Sequence, residues 1–149
     1  MVSVLPGAQL TGYEKPAFER MMINEEGSSS KPYRDTKGIL TIGIGRNLDS
    51  VGLRGGEILV LFWNDVAEAE RALDKNIPWW RDMSPNRQMA ILSMCFQMGW
   101  DRLKGFGKML AALNRMDYRE AAAEARDSKW AREDSPGRAQ RMATLIERG

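Results

Sequence analysis

EEGSSSKPYRDTKGILTIGIG, residues 25–45, decides the fold class of this chain. Upstream of it the period is helical. Phe18, Met21 and Met22 recur at three- and four-residue spacing, Pro16 suits a first turn, and Gly27 suits the position after a last one. The spacing predicts a helix over about 16–26. Inside the stretch the period becomes two. Leu40, Ile42 and Ile44 point one way, while Ile39, Thr41, Gly43 and Gly45 point the other. Asp35-Thr36-Lys37-Gly38 carries Asp first and Gly fourth, the preference of a tight turn. KPYR and ILTIGIG therefore read as a hairpin, with Leu40, Ile42 and Ile44 expected to pack inward and the opposite face nearly bare. Glycines inside a strand mark either a bend or the close approach of a ligand or another backbone.

Everything after the hairpin reads as helix. Ile58, Phe62, Val66, Ala69 and Leu73 place a long connecting helix over about 57–75. Ser84-Pro85 and Ser135-Pro136 are cap-plus-proline openings, Asp117 precedes a strong helix former, and Gly99, Gly105 and Gly107 punctuate shorter pieces. The expectation is one α+β domain over residues 1–149, in which 1–12 form a loose lead-in. A small hairpin lobe spans about 27–55, and a larger helical lobe spans about 76–149 together with the N-terminal helix.

Composition narrows the chemistry. The chain has 149 residues, enough for one ordinary core, and 43% hydrophobic and 28% charged residues are normal for a globular domain. The longest apolar run, ILVLFW at 58–63, is too short to span a bilayer. MVSVLPGAQL has neither a basic n-region nor a long apolar h-region, so no secretory signal is expected. Net charge is +2, with a mildly cationic C-terminal half. Its arginines are interspersed with acids, so a nucleic-acid partner is not expected. Cys95 is the one cysteine; it lies in the apolar run ILSMCF and reads as a small core residue. There is no histidine, which removes Ser-His-Asp and Cys-His nucleophilic catalysis and the common imidazole-ligated zinc hydrolases. A hydrolase built from this sequence would move protons with carboxylates, and no metal or organic cofactor is called for.

The opening stretch supplies such carboxylates. Glycosidic cleavage uses one protonated and one ionised carboxyl group, kept apart by different surroundings. A glutamate in the last helical turn faces the negative end of the dipole, and Met21, Met22 and Ile23 are expected to add desolvation, both favouring the protonated acid. Asp35, on a turn, is expected to be better hydrated and charged. By helical angle Glu25 lies nearer the centre of the apolar face than Glu26, so the periodicity leaves the choice open.

The motif series EG at 26–27, YRDTKG at 33–38 and TIGIG at 41–45, continuing into RNLDSVGL, resembles that of phage-type lysozymes, a glycoside hydrolase family that includes many phage endolysins. The likeness resumes in FQMG at 96–99 and in SKW at 128–130 with PGRAQR at 136–141. It implies a T-even-like lysozyme fold with the active-site cleft between two lobes. It implies Glu26 as general acid, Asp35 as the second carboxylate and Thr41 as a holder of the attacking water. Phe96 and Gln97 are implied as substrate-binding residues, and Arg138 as the partner of the catalytic glutamate in a supporting ion pair. The implied substrate is the MurNAc–GlcNAc β-1,4 bond of bacterial peptidoglycan, cleaved with inversion by a monomer without stable membrane insertion. An endolysin of this kind would accumulate in the host cytoplasm and reach the wall after membrane damage.

Other readings stand beside it. A lytic transglycosylase acts on the same bond with one acidic glutamate, and an inactive relative would bind the wall without cutting it. Asp35 and Thr41 speak against both. The sequence also departs from some relatives, which place histidine where Arg46 stands. An Arg46–Asp65 ion pair is expected to take over that contact. Trp79, Trp80 and Trp130 suit either packing or a sugar platform, with packing the favoured reading.

Overall fold

The computed structural model describes residues 12–149. It is mostly helical with one small antiparallel sheet, an α+β fold. Helix α1 (Lys15–Glu26) is followed by strands β1 (Ser29–Arg34), β2 (Leu40–Gly43) and β3 (Arg46–Asn47). Then come α2 (Gly55–Asn76), a 3₁₀ turn at Pro78–Asp82, α3 (Pro85–Met98), α4 (Trp100–Leu103), α5 (Gly107–Asn114) and α6 (Tyr118–Arg126). A π turn at Trp130–Asp134 leads into α7 (Pro136–Arg148). The chain forms two compact units, one ending at Glu57 and the other spanning Ile58–Gly149.

In the first unit the sheet is a meander, β1-β2-β3. β1 and β2 form the expected hairpin, pairing Tyr33 with Thr41 and Arg34 with Leu40. The register slips between Ser29 and Tyr33, where Pro32 has no N–H to give the ladder and is tolerated because β1 is an edge strand. The predicted turn is present: Gly38 N–H donates to Asp35 O at 2.9 Å. The predicted burial is not. Thr41 is the buried residue of β2, 5% exposed, whereas Ile44 is 42% exposed. Gly43 and Gly45 have positive φ, 67° and 70°, and carry the chain round into β3. Ile44 therefore sits on a turn and has left the alternation that would have taken it inward.

The second unit holds the main core. Leu73, Trp80, Ile91, Met94, Leu103, Met109, Leu113 and Ile146 are the largest fully buried side chains. Ala121, Ala122 and Ala125 on α6 and Ala139 and Ala143 on α7 are also buried; such small side chains let these two helices pack closely. Of the stripe expected on α2, Val66, Ala69 and Leu73 are buried, while Ile58 and Phe62 are exposed. Cys95 is buried as expected, with its thiol against the Ala69 carbonyl at 3.7 Å. Trp80 and Trp130 are core residues, and each donates its indole N–H to a side-chain oxygen: Asp74 Oδ1 at 2.8 Å and Gln97 Oε1 at 3.1 Å. Arg81 closes over the Trp80 ring at 4.3 Å and binds Asp74 and Glu70. Its hydrogen bond holds the Asp74 carboxyl below its usual range. No described helix is long and apolar enough to cross a membrane.

Candidate active site

Glu26 is the last residue of α1, and Gly27 closes the helix by donating its N–H to Ile23 O at 2.8 Å. α1 has no buried residue, and Glu25 and Glu26 are both exposed. The apolar shielding expected from Met21, Met22 and Ile23 is therefore absent: a helix that buries no stripe cannot desolvate its last turn. What distinguishes the two glutamates is a contact. The Glu26 side chain lies against Gly45, where an added Cβ would come within 2.9 Å of Oε2 and 3.1 Å of Cδ. Gly45 thus provides both the turn and the space for this carboxylate. Sequence reasoning offered a bend or a close approach and did not connect Gly45 with Glu26; the residue shows both.

Asp35 and Thr41 are held by the backbone of one residue, Ile39. Asp35 Oδ1 accepts N–H bonds from Lys37 at 2.8 Å and Ile39 at 2.9 Å. Asp35 N–H and Thr41 Oγ1–H both donate to Ile39 O, each at 3.0 Å. The Ile39 backbone therefore fixes the aspartate and the threonine together. Asp35 Oδ2 accepts no hydrogen bond among the described residues, and Thr41 Oγ1, having spent its proton on Ile39, keeps lone pairs for an incoming donor. Among the described residues no group of three or more His, Cys, Asp or Glu is arranged to hold a metal ion.

Within the first unit Arg46 meets Glu57; the Asp65 of the sequence reading belongs to the second unit. Arg46 Nη1 lies 2.9 Å from Glu57 Oε2 and donates to Gly52 O at 2.9 Å. Glu57 sits in the first turn of α2 and also accepts the Arg54 N–H at 3.3 Å, the reach-back half of a capping box. A carboxylate placed there by the helix start is nearer in sequence, and the short Gly52–Arg54 link suits it. The Arg46 hydrogen bond is the main reason that the Glu57 pKa is lowered from its usual 4.5. A depressed folded-state pKa gives stability that is complete above the unfolded value and lost as pH falls through the folded one. Thermal melts of wild type should thus weaken below about pH 4.5 more steeply than those of Glu57→Gln. Parallel curves for the two proteins would remove Glu57 from the acid response.

The remaining sequence-predicted residues belong to the second unit. Phe96 is 41% exposed and its ring lies 5.6 Å from that of Phe62. Gln97 is exposed, but its amide is engaged twice, accepting from Trp130 Nε1 at 3.1 Å and donating to Ser135 Oγ at 3.0 Å. Ser135 consequently does not cap α7, as its Ser-Pro signal had suggested. Arg138 donates to Ser93 Oγ and Ser93 O, and lines a groove of about 260 Å³ walled by Phe62, Val66, Met89, Leu92 and Phe96.

Residues 23–148 match the Phage lysozyme family. The chain belongs to that family. Among similar proteins, "Probable T4-type lysozyme 1" of Dictyostelium discoideum is 27% identical, the match covering 89% of this chain and 95% of that protein. "Probable T4-type lysozyme 2" of the same organism is 28% identical with the same coverage. The "Pre-baseplate central spike protein Gp5" of Enterobacteria phage T4 is 31% identical over 89% of this chain, which spans only 28% of the spike protein.

Phage lysozyme membership supports a lysozyme-like peptidoglycan hydrolase, with glycoside hydrolase chemistry. In this chain the motifs EG, YRDTKG and TIGIG all fall within the first unit. There the helix end, the turn and the strand each contribute one of Glu26, Asp35 and Thr41. The family match spans both units.

Proposed function

We propose that this chain is a lysozyme that hydrolyses the MurNAc–GlcNAc β-1,4 bond of peptidoglycan, using Glu26 as acid and Asp35 as base. The observation that supports it best is the joint fixing of Asp35 and Thr41 by the Ile39 backbone, with Asp35 Oδ2 and the Thr41 oxygen left for a water. A water donating one proton to each presents its lone pair to C1 of the sugar. Protonated Glu26 gives its proton to the glycosidic oxygen as the C1–O bond breaks. The water oxygen bonds to C1 and its proton passes to Asp35. The configuration inverts, and MurNAc is left with a free reducing end. Phe96 and Gln97 contact the glycan in this reading, and Arg138 supports the catalytic glutamate as its cationic partner. The biological setting is host-cell lysis as a phage endolysin acting as a monomer.

Mass spectrometry of purified peptidoglycan digested by wild type and Asp35→Asn tests this. The expected products are fragments ending in reducing MurNAc, with Asp35→Asn slowed by about 10²–10⁴-fold. Anhydro-MurNAc ends would make the protein a lytic transglycosylase and end the role of Asp35 as base. A folded wild type that releases nothing would leave a wall-binding relative.

A further inference from the structure

We infer that Ser93 is a positioning residue for the reaction, acting through Arg138; the inference rests on the supporting role proposed above for that arginine. Ser93 is a polar residue in an apolar stretch of α3, between Leu92 and Met94, where Ala would be the better helix former. It occupies one whole edge of the Arg138 guanidinium. Nε donates to Ser93 Oγ at 3.3 Å, and Nη2 donates to Oγ at 2.8 Å and to Ser93 O at 3.1 Å. Because the guanidinium is planar, fixing the Nε and Nη2 edge also fixes where the two N–H groups of Nη1 point.

Arg81, Arg102, Arg115, Arg126 and Arg132 of the second unit each pair with a carboxylate, whereas Arg87, like Arg138, donates to backbone carbonyls. No described carboxylate of Ile58–Gly149 pairs with Arg138, whose acceptors are a neutral hydroxyl and a carbonyl. It is half-buried on a groove wall whose other residues, Ser93 aside, are apolar. With Nε and Nη2 engaged by Ser93, Nη1 is the part of this cation left to meet an anion, the role proposed for it above. Ser93 holds it without neutralising it. An aspartate in that place would fix the guanidinium equally well but consume its charge, and an alanine would leave a long side chain free among its rotamers.

A double-mutant cycle tests this. Release of reducing ends from purified peptidoglycan is followed for Ser93→Ala, Arg138→Ala and the double variant, with thermal melts and the ¹⁵N–¹H signal of the Arg138 Nε–H. Ser93→Ala should lower kcat by roughly 3- to 30-fold with KM little changed, and should shift or broaden that signal. In the Arg138→Ala background the same change should cost less than about twofold. Ser93→Thr, which keeps the hydroxyl, should retain most activity, whereas the isosteric Ser93→Val should not; this pair decides the matter if Ser93→Ala fails to fold. An undiminished effect of Ser93→Ala without Arg138, or equal activity of the Thr and Val variants, would overturn the inference. If Arg138→Ala itself loses nothing while wild type still cleaves, the supporting role of the arginine falls, and the inference with it. If Arg138→Ala is impaired and Ser93→Ala is not, only the inference falls.

Discussion

Glu26→Gln should lose about 10²–10⁴-fold of kcat on purified peptidoglycan, the span usual for a general acid, while its melting temperature stays level or rises. Glutamine keeps the shape that Gly45 accommodates, so the side chain remains in place, but the amide has no acidic proton for the leaving oxygen. Stability should change little, because Glu26 is exposed. A neutral glutamine suits the negative end of the α1 dipole at least as well as a carboxylate. Glu25→Gln is the control. It makes the same charge change one residue earlier and should keep near wild-type kcat. Equal losses in the two variants would show that helix-end charge, rather than proton donation by Glu26, is being measured.

The second large effect is expected at Gly45. An alanine there must adopt φ near 70°, which costs about 1–2 kcal/mol for an L-residue. Its Cβ would also stand 2.9 Å from Glu26 Oε2, 3.1 Å from Cδ and 3.2 Å from Cγ. The glutamate is exposed and flexible, so it should swing away before the sheet does. A displacement of about 1 Å at the acid costs on the order of 10²-fold in kcat. Gly43→Ala separates the two causes. Its φ is 67°, but an added Cβ meets nothing within 4 Å. Both variants should therefore lose similar stability in urea titrations, and Gly45→Ala alone should show the collapse in kcat. Matching kcat values would mean that the contact with Glu26 has no catalytic consequence.

The α+β class was legible because the period changes once, from helical to alternating and back, within about thirty residues around the hairpin. Caps were legible where the side chain had only its own helix to serve. Ser84 Oγ accepts from Arg87 N and Asp117 Oδ1 from Glu120 N, both as read from the sequence. Ser135 carries the same signal, yet its hydroxyl accepts from Gln97, a tertiary partner invisible to local pattern. β3 was missed because a strand of two residues has no period to detect. The inward face of β2 was misread because Gly43 and Gly45 end the alternation just where the pattern looks strongest. The choice between Glu25 and Glu26 was beyond periodicity, since α1 buries no face against which an angle could be measured. The family motif favoured Glu26, and the contact at Gly45 adds a local physical reason to examine it first.

The lone thiol of Cys95 offers a clock. It is buried in the core of the second unit, and burial also pushes its pKa up, so in the closed state it is both out of reach and poorly nucleophilic. A small disulfide reagent would find it only during moments when α3 parts from its neighbours. With one sulfhydryl per molecule, the progress of labelling would time the breathing of the helical unit directly, without an engineered probe, and the rate would say how often that core lets the solvent in.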